Sequence, residues 1–280
     1  MTALTRDIEG VRAQHDAWRK SGETIGIVPT MGALHDGHLA LVRAAQGECE
    51  RVITTIFVNP TQFGAGEDLD AYPATIEADM ARLRDAGVDL VFQPTRDTVY
   101  PAGFATRVEV DGLTDVLCGA SRPGHFNGVT QVVAKLLNIA AADRAYFGEK
   151  DWQQLAIVKR MASDLNFTTR IVGVPIVRAA DGLALSSRNA YLSAQERATA
   201  PALNAALREA AHDIRSGMGA RGACAKASEA LLEAGFRQVD YLECRDAVSL
   251  APLEHHNEGE ARLFAAAFLG KARLIDNISV

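Results

Sequence analysis

The stretch from Pro29 to His38, P-T-M-G-A-L-H-D-G-H, constrains this chain more than any other. Ahead of it, residues 24–28 (T-I-G-I-V) read as a short buried strand. Behind it, Leu39, Leu41, Val42 and Ala45 suit a helix packed on that strand. The backbone must therefore turn sharply from strand to helix, with Met31, Gly32, His35, Gly37 and His38 in the turn. His35 and His38 are three residues apart and can face one way at the first turn of the helix. The unpaired backbone N–H groups there, together with the helix dipole, attract an anion such as phosphate. Gly37 lets a ligand come close to the backbone. Two imidazoles beside it can donate hydrogen bonds to a phosphate that gains charge during reaction. A capped helix with two surface histidines would use the same letters, but the strand–turn–helix setting argues against it. H-x-G-H after an apolar strand resembles the ATP-binding signature of nucleotidylyltransferases and class I aminoacyl-tRNA synthetases.

The rest of the chain supplies a frame for such a turn. Residues 4–20 predict an amphipathic helix, with Leu4, Ile8, Val11 and Trp18 near helical spacing. Strands are predicted over 51–58, 88–92, 144–147 and 169–174. Helices are predicted over 75–86, capped by Gly87, and over 128–142 and 152–163. Glycines and prolines between 94 and 126 predict loops with short elements. Alternating strands and helices give an α/β fold with a parallel sheet. After Pro175 the character changes. Two Ala-rich helical stretches fill 193–235, broken at 216–219, and strands follow over 237–245, 261–269 and 272–280. The expected organisation is a Rossmann-like doubly wound parallel sheet over residues 1–175, then a second, smaller α+β domain over 176–280.

Composition narrows the function. A net charge of -6 lacks the broad basic field that non-specific nucleic-acid binding needs. Cys49, Cys118, Cys224 and Cys244 form no C-x-x-C pair, so a disulfide framework or structural zinc is not expected. The N-terminus has no signal-peptide pattern, and no apolar run approaches the roughly 20 residues of a membrane span. A cytoplasmic protein is expected. His255-His256 reads as part of a solvated loop.

Ligands of an open parallel sheet bind beyond the carboxyl ends of its strands, and four clusters fall at such ends. The first is the H-x-G-H turn. The second is F-V-N-P-T-Q-F, in which Asn59 and Gln62 can orient a small polar ligand without charge. The third is G-E-K-D-W-Q-Q, in which Lys150 can reach phosphate as a mobile point charge. There Asp151 can cap the following helix, and Gln154 faces the same crevice one turn on. The fourth is Leu185-Ser-Ser-Arg188, whose hydroxyls and guanidinium suit phosphate oxygens. R-P-G-H-F, residues 122–126, adds a cation and an imidazole.

Taken together, and in this order between residues 24 and 192, the clusters resemble the pantoate–β-alanine ligase family. The resemblance implies ATP-dependent condensation of pantoate with β-alanine through pantoyl adenylate, with release of AMP and pyrophosphate. It implies ATP along Met31, Gly32, Ala33, Leu34, His35, Asp36, Gly37 and His38. ATP would continue along Gly148, Glu149, Lys150 and Asp151, at Val177, and along Leu185, Ser186, Ser187 and Arg188. Pantoate would lie near Gln62 and Gln154, and β-alanine near Gln62. His38 would be the proton donor, or equally a hydrogen-bond donor to phosphate. His35, Lys150 and Arg188 are the other donors suited to the phosphates. Mg²⁺ would accompany ATP without a dedicated carboxylate cage. A homodimer is also implied. Because Ser186, Ser187 and Arg188 lie beyond Pro175, the second domain is expected to close as a lid. Two other readings share H-x-G-H: an adenylyltransferase acting on a phosphorylated substrate, and an idle ATP-binding regulator.

Overall fold

The structure, a computed structural model, describes residues 2–64, 69, 75–255, 257 and 259–280. The first sheet is built from β1 (Ala3–Thr5), β2 (Ile25–Val28), β3 (Arg51–Thr55), β4 (Leu90–Phe92), β5 (Arg144–Gly148) and β6 (Arg170–Val174). Every pairing is parallel, in the order β1-β4-β3-β2-β5-β6. The chain steps outward from β2 to β3 and β4, then crosses back to lay β5 and β6 on the other side of β2. That reversal opens a crevice beyond the carboxyl end of β2, where the H-x-G-H turn begins.

Helices cover both faces. Ile25 and Ile27 of β2 join Val11 and Trp18 of α1 (Ile8–Lys20) and the apolar side of α6 (His125–Ala140). Val28 points to the other face, toward Leu41 and Val42 of α2 (Asp36–Gln46) and Met80 and Leu83 of α3 (Ile76–Asp85). A strand covered on both sides has no polar face, which explains the unbroken apolar run I-G-I-V. A side chain at Gly26 would press on Tyr146, Ala45 and Cys49, at 3.2–3.3 Å from its Cβ. Gly26 therefore lets α2 sit close. The short α4 (Arg96–Val99) follows β4, and residues of α5 (Leu117–Ser121) and α7 (Trp152–Asp164) line the crevice.

The second unit has its own core. An antiparallel sheet of β7 (Gln238–Asp246), β8 (Ala261–Leu269) and β9 (Ala272–Ser279) is covered by α9 (Ala202–Arg215) and α10 (Ala220–Glu233), with the short α8 (Ala194–Thr199) ahead of them. Ala206, Ala210, Ala223, Ala227, Ala265 and Ala267 are all buried in it. Small side chains on facing surfaces let helices and sheet approach closely, which gives the Ala-rich composition its purpose. Among the described residues no helix is long and apolar enough to cross a membrane.

The structure departs from the sequence expectation in several places; residues 193–235 form three helices where two were expected, and the strand expected over 51–58 ends at Thr55. Residues 3–5 are not helical. They form an edge strand on β4, Leu4 is 46% exposed, and the helix starts at Ile8 behind an Asp7 cap, whose side chain accepts from Gly10 N. The sheet thus has six strands where five were expected. His125 and Phe126 belong to α6, whose N-cap Gly124 has φ +80°, so R-P-G-H-F is a helix start. Asp151 makes no side-chain cap on α7; its carboxylate lies 3.8 Å from the Lys150 Nζ. His255 is exposed, as read, and His256 lies outside the described residues.

Candidate active site

The two histidines of the turn form a reciprocal cap. His35 is the N-cap of α2, and its Nδ1 accepts from Gly37 N at 3.1 Å; His38 Nδ1 accepts from His35 N at 3.2 Å. With each Nδ1 used as an acceptor, each neutral ring carries its proton on Nε2. The rings lie 4.1 Å apart, centroid to centroid, and both line one pocket. Gly37 has a role beyond the one expected. A Cβ there would come within 2.8 Å of the His35 ring, so glycine makes room for the cap as well as lining the pocket.

Both rings titrate below the usual 6.5. Burial, reinforced by Lys150, lowers His35 to about 4; burial, reinforced by His35 and Lys150, lowers His38 to about 3. Both are uncharged at neutral pH. An unfolded chain binds these protons as pH falls through 6.5 and the folded protein only much lower, so stability falls with pH across that window. For His38 the loss between pH 7 and 5 is about 2 kcal/mol. The urea midpoint of the protein is expected to drop from pH 7 to pH 5, and His38→Gln is expected to drop less. Equal drops would mean that other groups set the acid limit.

The loop ahead of the cap is held by Asp79, which the sequence reading missed. Its carboxylate is 2% exposed and accepts from Ala33 N (2.9 Å), Leu34 N (2.8 Å) and Thr75 Oγ1 (3.0 Å). Gly32 and Ala33 both have positive φ, +88° and +49°, and the carboxylate offsets that strain with two hydrogen bonds. A signal existed: Asp79 stands in the apolar stripe of α3, between Ile76 and Leu83 and next to Met80. An acid on the buried side of a helix needs partners.

Asn59 and Gln62 both line the pocket, in unequal ways. Asn59 is 1% exposed and fully engaged. Its Oδ1 accepts from Thr61 Oγ1 (2.9 Å) and Tyr100 Oη (3.0 Å); its Nδ2 donates to Gly128 O (3.0 Å) and Gln62 Oε1 (3.1 Å). Because Gly128 O can only accept, the Asn59 amide has one orientation, and the end of Gln62 that meets it must be its oxygen. The Gln62 NH₂ is then turned toward Met31, with Nε2 3.1 Å from Sδ. His125 Nδ1 lies 2.8 Å from Gln62 O and its Nε2 lies 3.0 Å from Arg122 Nη1. The guanidinium can only donate, so Nδ1 carries the proton and supports the Gln62 backbone.

Lys150 sits in a single 3₁₀ turn, Glu149–Asp151, between β5 and α7, with its side chain 17% exposed. A Cβ on Gly148 would meet nothing within 4 Å, so that backbone is open to a ligand. Of the next two glutamines, Gln153 is structural: it accepts from Cys118 N and donates to Leu113 O and Val116 O. Gln154 lines the pocket. Past β6 a tight hairpin, closed by Leu185 N donating to Val177 O, returns the chain to the crevice, and Ser186 caps the following turn by accepting from Arg188 N.

One pocket of about 240 Å³ gathers these groups. Of the residues expected from the sequence, it brings together Met31, His35, Gly37, His38, Asn59, Gln62, Gly148, Lys150, Asp151, Gln154, Val177, Leu185, Ser186, Ser187 and Arg188, and adds Arg122 and His125. It leaves out Gly32, Ala33, Leu34, Asp36 and Glu149. Asp36 is exposed and lies 3.7 Å from Arg82; the others shape the backbone behind the wall. A wider cleft of about 1000 Å³ shares Arg122, His125, Lys150, Gln154, Ser186 and Arg188, and runs on to Tyr241, Phe264 and Arg273 of the second sheet. Among the described residues, Asp151 is the one carboxylate lining the smaller pocket, and no group of three potential metal ligands gathers.

A sequence profile described as pantoate-beta-alanine ligase matches residues 3–279. A Dinoroseobacter shibae protein named pantothenate synthetase is 64% identical over 280 residues, covering 100% of both chains. Its namesake from Cereibacter sphaeroides is 54% identical over the same span and coverage. Among solved structures, pantothenate synthetase from Thermus thermophilus superposes with a TM-score of 0.92 at 46% identity, covering 99% of this chain and 98% of that one. The Francisella tularensis pantoate-beta-alanine ligase, crystallised with beta-gamma ATP and β-alanine, superposes with a TM-score of 0.85 at 34% identity, covering 100% and 98%. A profile match running almost from end to end, with relatives more than half identical over their whole length, assigns this enzyme: the chain belongs to the pantoate–β-alanine ligase family.

Proposed function

We propose that the enzyme condenses pantoate with β-alanine through pantoyl adenylate, releasing AMP and pyrophosphate. One observation carries this reading. Two neutral histidines, each with its proton on Nε2, share a pocket with Lys150 and with the amides of Gln62 and Gln154. The first group suits the phosphates of ATP, the second a small hydroxy acid. The names of the relatives and the ligands of the Francisella enzyme support the same substrates.

In the first step an oxygen of the pantoate carboxylate attacks the α-phosphorus, the bond to the bridging oxygen of the β-phosphate breaks, and pyrophosphate leaves. Charge grows on the phosphate oxygens as it does so. His35 and His38 donate to them through Nε2–H, Lys150 and Arg188 add positive charge, and Ser186 and Ser187 add hydroxyls. In the ligand-free pocket both histidines are uncharged at neutral pH, which favours His38 as a hydrogen-bond donor through Nε2–H. Magnesium would accompany the phosphates, where Asp151, a carboxylate lining the pocket, could help hold it and screen the phosphate charge. In the second step the uncharged amine of β-alanine attacks the acyl carbon, the bond to AMP breaks, and the nitrogen sheds a proton. Gln62, held by Asn59 and His125, orients the acid by its NH₂. The unit beyond residue 175 closes over the cleft and keeps water from the mixed anhydride.

The test is isotope exchange. With pantoate and Mg²⁺ but no β-alanine, labelled pyrophosphate is expected to enter ATP. Exchange that begins only when β-alanine is added would overturn the adenylate.

A further inference from the structure

We propose that Asn277, on the last strand of the second sheet, is a positioning residue for Lys150. The inference rests on Lys150 serving adenylate formation, and it names what aims that lysine. Asn277 is 2% exposed. Its Nδ2 donates to the carbonyls of Glu149 and Lys150, both at 2.9 Å. The two protons of one amide thus bind the two successive carbonyls that fix the course of the 3₁₀ turn. The turn's N-cap is Gly148, which has no side chain to cap it. A lysine reaches its target through a long stem, so the direction in which its Cα presents that stem decides where the ammonium can stand.

The amide has no freedom to swing. Oδ1 accepts from Arg262 Nη1 at 2.5 Å, and that guanidinium lies 3.5 Å from the centroid of Trp152, the first residue of α7. Trp152 is held in turn by Nε1 donating to Ala247 O at 2.7 Å. The backbone of Asn277 is tied to the carboxylate before it, Asn277 N donating to Asp276 Oδ1 at 2.7 Å. Asp276, 4% exposed, takes both arms of Arg178 (2.6 and 2.9 Å) and the Asn204 amide (3.2 Å). Arg178 lies just past β6, where the chain leaves the first sheet. A network centred on the buried Asn204, Asp276 and Asn277 therefore runs from the junction of the two units, along β9, to the backbone of the catalytic turn; within it the Arg262 Nε has no hydrogen-bond partner. Such networks hold a group in one place, because any half-broken version leaves buried polar atoms unpaired.

The test is a double-mutant cycle on pantoate-dependent ATP–pyrophosphate exchange in the full chain. Asn277→Ala is expected to slow exchange about 10- to 100-fold, with the KM for pantoate changed less than about threefold, the pattern of a misplaced reacting group. In a Lys150→Ala background the same change is expected to cost less than about threefold, because a residue that acts through Lys150 has nothing left to position. Asn277→Asp keeps the shape and still accepts from Arg262, yet it points oxygen at two carbonyls. It is expected to exchange no faster than Asn277→Ala, whatever the thermal midpoint of either. Equal losses in both backgrounds, or wild-type exchange by Asn277→Asp, would overturn the positioning role while leaving Lys150 in the chemistry. A Lys150→Ala enzyme with undiminished exchange would overturn both readings.

Discussion

Lys150→Ala is expected to form adenylate about 10²- to 10³-fold more slowly than the parent, the usual cost of losing one donor to developing charge. The side chain is 17% exposed, and its ammonium stands 3.8 Å from the Asp151 carboxylate, beyond hydrogen-bond distance. It belongs to the pocket wall rather than to the packing, so the thermal midpoint is expected to move by no more than about 2 °C. The loss should fall on turnover at saturating ATP more than on KM, since the charge it meets is greatest when pyrophosphate departs. Single-turnover formation of AMP-linked product, followed with labelled ATP, measures it. A rate within about threefold of the parent would make Lys150 a bystander.

Gly128→Ala is the second large effect. Gly128 lies in the first turns of α6, and its carbonyl is the acceptor that orients Asn59. A Cβ at this position would stand inside the contact shell of the Thr61 carbonyl and the Gln62 nitrogen. Both are backbone atoms, so no rotamer relieves the clash; the Pro60–Gln62 turn or the helix must move. The expected result is a loss of about 2–3 kcal/mol of stability, together with a rise of at least about tenfold in the KM for pantoate as the Gln62 amide shifts. Denaturant unfolding and initial rates at varied pantoate check the two halves separately. Parent values for both would mean that the turn adjusts without consequence.

Much of this was legible before any coordinates. The H-x-G-H turn announces itself because its requirements are local: a strand, a sharp turn, two rings one helical turn apart. The alternation of strands and helices is likewise a short-range pattern, and it led to the sheet and to the change of character after Pro175. What escaped was whatever depends on partners far along the chain. The three residues of β1 are too few to show a period, and only pairing with residues 90–92 makes them a strand. Pro123 and Gly124 read as loop punctuation because the same two residues also begin helices, and Gly124 does so from the left-handed region. Asn59 lines the pocket, but nothing near it in sequence shows that Gly128 and Tyr100 also meet its polar ends. Asn277 had no distinguishing mark at all: nothing in its neighbourhood says that its amide will meet a turn 127 residues away.

The reciprocal cap leaves the motif almost no room to vary. At position 35 or 38 the side chain must offer an acceptor to a backbone N–H one bond beyond Cγ and, for the mechanism proposed above, a donor to the ligand on its far edge. Asparagine supplies the first and is too short for the second. Glutamine reaches the second and loses the first, and alanine loses both, so its kinetics mix a frayed helix with a missing donor. Only the five-membered ring has both atoms at the right separation on one rigid plane. Comparing Asn with Gln at each position would therefore separate what each histidine gives to folding from what it gives to catalysis.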